Sequence, residues 1–150
     1  MKLAELLSGI EIIEGCYDPE LEVTGVSYDS RETKPGQAFV AIPGFASDGY
    51  QFIPKALERG AGVIICEREP EQKAQYVQVA DCRKALAQLG ANWFGHPADK
   101  MTMLGVTGTN GKTTITYLLK TVLEKTLGAK VGLIGTIQNM IGDTVIHTER

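Results

Sequence analysis

Near the start of the chain, Leu3, Leu6, Leu7 and Ile10 recur at helical spacing, and Gly9 is placed to end the short amphipathic helix they predict. Leu21-Glu22-Val23-Thr24-Gly25-Val26 alternates apolar with polar and predicts a strand. Residues 37–42, bounded by Pro35-Gly36 and Pro43-Gly44, predict a second. Phe52, Ile53, Ala56 and Leu57 return to helical spacing, Gly60 supplies a stop, and residues 62–66 read as a buried strand. After a charged loop over 67–73, residues 76–79 are strand-like. Asp81 is placed to cap a helix that carries Cys82, Ala85, Leu86, Leu89 and Trp93 on one face and ends at Gly95-His96-Pro97. Strands alternating with helices predict an α/β fold.

The pattern changes after residue 100. Met101-Thr102-Met103-Leu104-Gly105-Val106-Thr107 is a mostly apolar run that predicts a strand, and Gly108-Thr109-Asn110-Gly111-Lys112-Thr113-Thr114 follows it. Ile115, Leu118, Leu119, Val122, Leu123 and Leu127 then form a helical stripe ending at Gly128. Residues 1–99 hold 9 Lys and Arg against 15 Asp and Glu, a net of −6, whereas residues 100–150 hold 6 against 3, a net of +3. The sign change falls on a helix stop, a proline and two charges, so a domain boundary is expected between 95 and 100, giving domains at 1–98 and 99–150. Seven of the 17 glycines lie between 105 and 142, a density that suits backbone approaching a ligand.

Composition narrows the classes. The chain has 150 residues, 43% hydrophobic and 22% charged, an ordinary globular mix. No apolar run approaches the roughly 18 residues a membrane helix needs, and no signal-peptide stretch follows Met1, so a cytoplasmic protein with no membrane role is expected. A net charge of −3 argues against nonspecific nucleic-acid binding. Cys16, Cys66 and Cys82 are odd in number and lack CxxC spacing, which predicts reduced thiols rather than a disulfide framework or a zinc site. His96 and His147 have no ligand partners at metal spacing, and a surface role is expected of both.

Strand, glycine loop and helix occur in the order a phosphate-binding loop requires. Glycines let successive N–H groups turn inward, and the helix N-terminus adds partial positive charge where polyphosphate oxygens would sit. Lys112 is suited to the β- and γ-phosphates and the Thr113 hydroxyl to Mg²⁺. The usual pattern G-x-x-x-x-G-K-[ST] is not met: Val106 stands five before Gly111, and the nearest glycines are Gly105 and Gly108. No aspartate follows an apolar strand downstream as in a generic kinase or GTPase, since Asp143 after Gly142 reads as a turn. Asp29-Ser30-Arg31, on chemistry alone, suits a turn that bonds local backbone as well as it suits a binding site. Asp48-Gly49 reads as a turn.

Residues 105–114 resemble the ATP-binding loop of the Mur ligases, whose first glycine lies closer to the lysine. Asp29-Ser30-Arg31, Lys34-Pro35-Gly36-Gln37-Ala38-Phe39-Val40-Ala41 and residues 44–49 resemble the N-terminal uridine-nucleotide-binding domain of two branches of that family, the MurE and MurF types. Gly132-Leu133-Ile134-Gly135-Thr136 and His147-Thr148-Glu149-Arg150 resemble the MurE type in particular.

The resemblance implies a small N-terminal uridine-nucleotide-binding α/β domain followed by the start of a P-loop α/β ATPase domain. The implied ligase uses ATP and Mg²⁺ to add a third amino acid, meso-diaminopimelate or L-lysine, to UDP-N-acetylmuramoyl-L-alanyl-D-glutamate in peptidoglycan precursor synthesis. Phosphoryl transfer to a carboxylate would precede attack by the amine. ATP would meet Gly108, Thr109, Asn110, Gly111, Lys112, Thr113 and Thr114, with Lys112 catalytic and Thr113 on the metal. The UDP-linked dipeptide would meet Tyr28, Ser30, Phe45, Ala46 and Ser47, where Phe45-Ala46-Ser47 departs from the His-Gln-Ala of some relatives. Further expectations are a monomer and an amino-terminal fragment inactive alone. The alternatives are a MurF-type ligase adding D-alanyl-D-alanine and a noncatalytic nucleotide-binding module.

Overall fold

A computed structural model describes residues 1–44 and 48–146. The chain divides into two units, Met1–Thr102 and Met103–Arg150. In the first, β1 (Ile12–Cys16), β2 (Val26–Ser27), β3 (Ala38–Val40), β4 (Val63–Cys66) and β5 (Tyr76–Val79) form one sheet in the order β1-β5-β4-β3-β2. β2, β3, β4 and β5 run parallel, while β1 pairs antiparallel with β5. Around them lie α1 (Leu3–Leu6), α2 (Ile53–Glu58) and α3 (Cys82–Trp93). The α/β class expected from the sequence is the one found.

The inner strands are apolar at consecutive positions because both sheet faces are covered. Ala38, Val40, Val63, Ile65, Val77 and Val79 point to one face and pack with Leu3, Leu6, Cys82, Ala85 and Leu89. Phe39, Ala41, Ile64 and Cys66 point to the other and pack with Ile53 and Ala56 of α2. Asp81 caps α3 as its position predicts, accepting from the N–H groups of Arg83 at 2.9 Å and Lys84 at 3.0 Å. Buried Asn92 on α3 donates to the carbonyls of Leu6 and Ser8, tying that helix to the end of α1. His96 is exposed, and His147 lies outside the described residues. The three cysteines are free thiols. Burial raises Cys66 to about 11 and Cys82 to about 12, which leaves both unreactive.

Three features depart from the sequence reading. Of the strand expected at 21–26, only its end joins the sheet, as the start of β2. Residues 21–23 instead bond the chain start through Leu3 N–H to Leu21 O and Val23 N–H to Met1 O. β1 has no counterpart in the apolar pattern: it is an edge strand carrying Glu14 and Gly15, and its register shifts between Ile12 and Glu14, leaving Ile13 exposed. The apolar run at 101–107 forms no strand. A strand needs a paired neighbour, and none of the described strands pairs with it, so Met103 and Leu104 are exposed.

The second unit contains α4 (Lys112–Leu127) and an antiparallel meander of β6 (Gly132–Leu133), β7 (Asn139–Ile141) and β8 (Thr144–Ile146). Gly142 and Asp143 make the β7–β8 turn, as the sequence predicts for Asp143. Among the described residues no helix is long and apolar enough to cross a membrane.

Candidate functional site

Helix α4 begins at Lys112, immediately after the glycine loop. Gly111 is its N-cap at φ 79°, a left-handed conformation that disfavours a side chain. Because glycine caps the helix, no side chain bonds the first N–H groups of α4. That leaves its positive end for an anion. Lys112 arches back over the loop, with Nζ donating to Gly108 O at 2.5 Å and lying 3.5 Å from Thr109 O. Thr113 is half-buried, while Thr109, Asn110 and Thr114 are exposed. The sequence-predicted residues 108–114 are thus brought together on one loop and helix start.

This arrangement suits a polyphosphate. The lysine ammonium now solvates loop carbonyls, and phosphate oxygens arriving there are stronger acceptors for the same hydrogens. A metal would find the Thr113 hydroxyl in the first turn of the helix. Among the described residues no group of three or more His, Cys, Asp or Glu could hold a metal ion. The Thr113 hydroxyl beside a loop that suits phosphate fits a magnesium ion held in part by phosphate oxygens.

Of the second set of candidate residues, Tyr28 and Ser30 lie at the carboxyl edge of the parallel strands in the first unit, where open α/β sheets bind ligands. Tyr28 and Ser30 directly follow β2. Tyr28 is 68% exposed and Ser30 only 5%. Asp29 organises the turn between them. Its carboxylate accepts from Arg31 N–H at 2.8 Å and is gripped by the Arg31 guanidinium, with contacts of 2.6 to 3.1 Å. These hydrogen bonds hold the Asp29 carboxyl at about 2, below the ordinary 3.8. Phe45, Ala46 and Ser47 lie outside the described residues.

The residues flanking that trio are well fixed. Pro43 bridges Asp48, Gly49 N–H donates to Ile42 O at 3.1 Å, and Asp48 accepts from Tyr50 N–H at 3.1 Å. Asp48-Gly49, expected as a turn, instead starts a short 3-10 helix over Gly49–Phe52 that Asp48 caps. Tyr50, absent from the sequence reading, is the centre of this base. Its hydroxyl accepts from Glu67 and Arg68 N–H and donates to Arg68 O. Burial pushes the phenol up to about 12. Arg68 stacks over its ring at 4.1 Å and pairs with Asp48 at 2.8 Å. An aromatic residue after Asp-Gly and an arginine 18 positions later are the only signals in the sequence, and neither is distinctive alone.

Sequence comparisons cover both units. Residues 22–94 match the family described as "Mur ligase family, catalytic domain", and residues 106–149 match "Mur ligase middle domain". The chain is 45% identical over 152 residues to UDP-N-acetylmuramoyl-L-alanyl-D-glutamate--2,6-diaminopimelate ligase 1 of Clostridium acetobutylicum, covering 100% of this chain and 31% of that protein. Its fold is similar to the solved structure of a UDP-N-acetylmuramoyl-L-alanyl-D-glutamate--2,6-diaminopimelate ligase, with TM-score 0.77 and 28% identity over 97% of this chain and 29% of the other. MurF ligase from Thermotoga maritima, solved in complex with ADP, is similar at TM-score 0.52 and 33% identity over 67% of this chain and 23% of the other. The chain spans about a third of the length of the curated relatives it matches. With both units matched in order by domains of one family, and a curated relative nearly half identical along the whole length, the chain belongs to the Mur ligase family.

Proposed function

We propose that the chain carries the UDP-linked-substrate site and the ATP loop of a MurE-type ligase, an ATP-dependent amide-forming enzyme of peptidoglycan precursor synthesis acting in the cytoplasm as a monomer. Residues 1–98 form the UDP-N-acetylmuramoyl-dipeptide-binding domain in this reading, and residues 99–150 open the central ATP-binding domain. The amino acid added to UDP-N-acetylmuramoyl-L-alanyl-D-glutamate is 2,6-diaminopimelate, which the curated relatives' names specify. The single observation that carries the reading is the glycine loop delivering Lys112 and an uncapped helix end to one point.

In the reaction, the terminal phosphoryl of ATP passes to a substrate carboxylate and the incoming amine then displaces phosphate. Lys112 exchanges the carbonyls of Gly108 and Thr109 for phosphate oxygens and neutralises charge as it moves. Amides of 108–114 orient the polyphosphate, and the Thr113 hydroxyl would offer a ligand to Mg²⁺. The metal, when bound, spreads the negative charge of the transferring group. Tyr28 and Ser30, with Phe45, Ala46 and Ser47, hold the uridine nucleotide. Separate sites in separate units predict separable losses.

The test is a chimera in which this chain replaces the matching third of the Clostridium acetobutylicum ligase. Lys112→Ala should abolish turnover and leave UDP-substrate affinity within about twofold, as expected of independent sites. Equal loss of both would overturn the two-site reading. The 150-residue chain alone should show no amino-acid-dependent phosphate release, because phosphoryl transfer needs a complete positioned set.

A further inference from the structure

Thr33 is 1% exposed, although it belongs to a surface turn and carries a hydroxyl. Its Oγ1 donates to Asp29 O at 3.0 Å and lies 2.9 Å from Ser27 Oγ. A hydroxyl has one hydrogen. With that hydrogen on Asp29 O, Ser27 must be the donor to Thr33. The carbonyl of Asp29 also accepts from the N–H groups of Glu32 and Thr33, both at 3.1 Å, so the turn enclosing Ser30 and Arg31 closes on this one oxygen. From the other side, Arg59 at the end of α2 donates Nε to Thr33 O at 3.0 Å. Thr33 therefore joins three elements: β2 through Ser27, the Ser30 turn through Asp29, and α2 through Arg59.

We infer that Thr33 is a positioning residue for the UDP-linked substrate, acting through Ser30, with Arg59 as its brace. The inference rests on the reading of Ser30 as a substrate contact. A turn closed only by backbone bonds and an exposed Asp29–Arg31 pair would sample several arrangements. The buried hydroxyl selects one, and a hydrogen bond to a substrate strengthens only when its donor is already aimed. Arg59 contributes from outside the turn: its Nε–H holds the Thr33 backbone while the Thr33 side chain holds Asp29.

The experiment titrates the 150-residue chain with UDP-N-acetylmuramoyl-L-alanyl-D-glutamate and follows its amides by NMR. Thr33→Val, which keeps the shape and removes the hydroxyl, should weaken binding about fivefold, or about 1 kcal/mol at 1.4 kcal/mol per tenfold. Thr33→Ser should restore most of it, and Arg59→Met should weaken binding about twofold. Ile65→Val, a core change on the opposite sheet face, serves as a matched loss of stability and should leave affinity unchanged.

The deciding arm is the pair Thr33→Val and Ser30→Ala. If Thr33 works through Ser30, the double variant binds no more weakly than Ser30→Ala alone. Additive losses, or a Thr33→Ser that fails to restore binding, would overturn the inference while leaving the substrate site standing. A wild-type chain showing no shift near Ser30, or a Ser30→Ala that binds normally, would instead remove the substrate reading and the inference with it.

Discussion

The two units place their apolar residues in opposite ways. In the first, Phe39, Ile53, Ile64, Ile65 and Leu89 are buried to within about 1%. In the second, Leu104, Ile115, Leu118, Val122, Leu127, Ile134 and Ile137 are all exposed, and among the described residues Leu133 is the buried apolar side chain. Yet α4 is the longest helix described, closed at a left-handed Gly128 by Gly128 N–H to Glu124 O and Ala129 N–H to Leu123 O. A helix satisfies its backbone within itself, so local spacing and end signals suffice to specify it. A buried sheet is specified only jointly, by strands that cover one another.

The sharpest way to break this contrast is to truncate one large apolar side chain in each unit. Phe39→Ala should cost about 3–5 kcal/mol, the range for a buried aromatic ring. Leu118→Ala, at a side chain 60% exposed, should change stability by no more than about 0.5 kcal/mol. Urea unfolding followed by the fluorescence of Trp93, the single tryptophan, reads the first unit directly. A Leu118→Ala cost comparable with that of Phe39→Ala would mean that the exposed face of α4 is covered in solution.

A smaller effect is expected where backbone approaches backbone. A Cβ on Gly49 would lie 2.4 Å from Ile42 O and 2.6 Å from Ile42 N, neither of which can rotate away. Gly49→Ala should therefore cost about 1–3 kcal/mol, as overpacking does, and push the backbone at Ile42 away. Gly90→Ala, on α3 with nothing within 4 Å of the new methyl, should instead be neutral or stabilising. The reverse order would refute the close approach at Gly49.

Helix starts give the next comparison. Asp81→Ala should destabilise the first unit by about 1 kcal/mol, because it removes a side chain that accepts from two N–H groups of α3. The corresponding place in the second unit is Gly111, with no side-chain bond to lose. Gly111→Asp should not give the usual capping gain, since it forces a side chain into φ 79°. Thermal unfolding of the two variants decides it, and a stabilised Gly111→Asp would contradict the assigned backbone.

These contrasts also explain what could be read in advance. α3 was legible to the residue, because Asp81, the apolar face and Gly95 are all local signals. β3 and β4 were legible because double-sided burial makes Ala38-Phe39-Val40 and Val63-Ile64-Ile65-Cys66 continuously apolar. β1 was not, since an edge strand with a register shift needs no apolar run and its partner β5 lies about 60 residues away. At 101–107 the apolar run predicts a strand that is not found, because composition supplies no partner. Around the sites, the glycine loop was legible from its glycines, Lys112 and the helical stripe behind them, whereas Arg59 and Arg68 meet Thr33 and Tyr50 from 26 and 18 residues away. No spacing rule reaches those.

The smallest expected effect separates the forces holding the two candidate binding segments. The Asp29 turn depends in part on a carboxylate, whereas residues 105–114 contain none, Lys112 being their one charged side chain. Hydrogen bonds from the Arg31 side chain, and next from its N–H, hold the Asp29 carboxyl at about 2 instead of 3.8. Its folded value lies below its unfolded one, so its contribution is fully present above pH 3.8 and is lost as pH falls towards 2. The pair is exposed, with Arg31 at 76%, so the stability involved is a few tenths of a kcal/mol, within the ~0.2–1 kcal/mol of surface pairs. NMR resolves what unfolding curves cannot. Between pH 4 and 2 the Arg31 amide should titrate while the amides of 108–114 stay still, and Asp29→Asn should abolish the Arg31 titration. If that titration survived in Asp29→Asn, the Arg31 amide would be sensing a different carboxyl group, and the Asp29 carboxylate would not be the force that distinguishes this turn from residues 108–114.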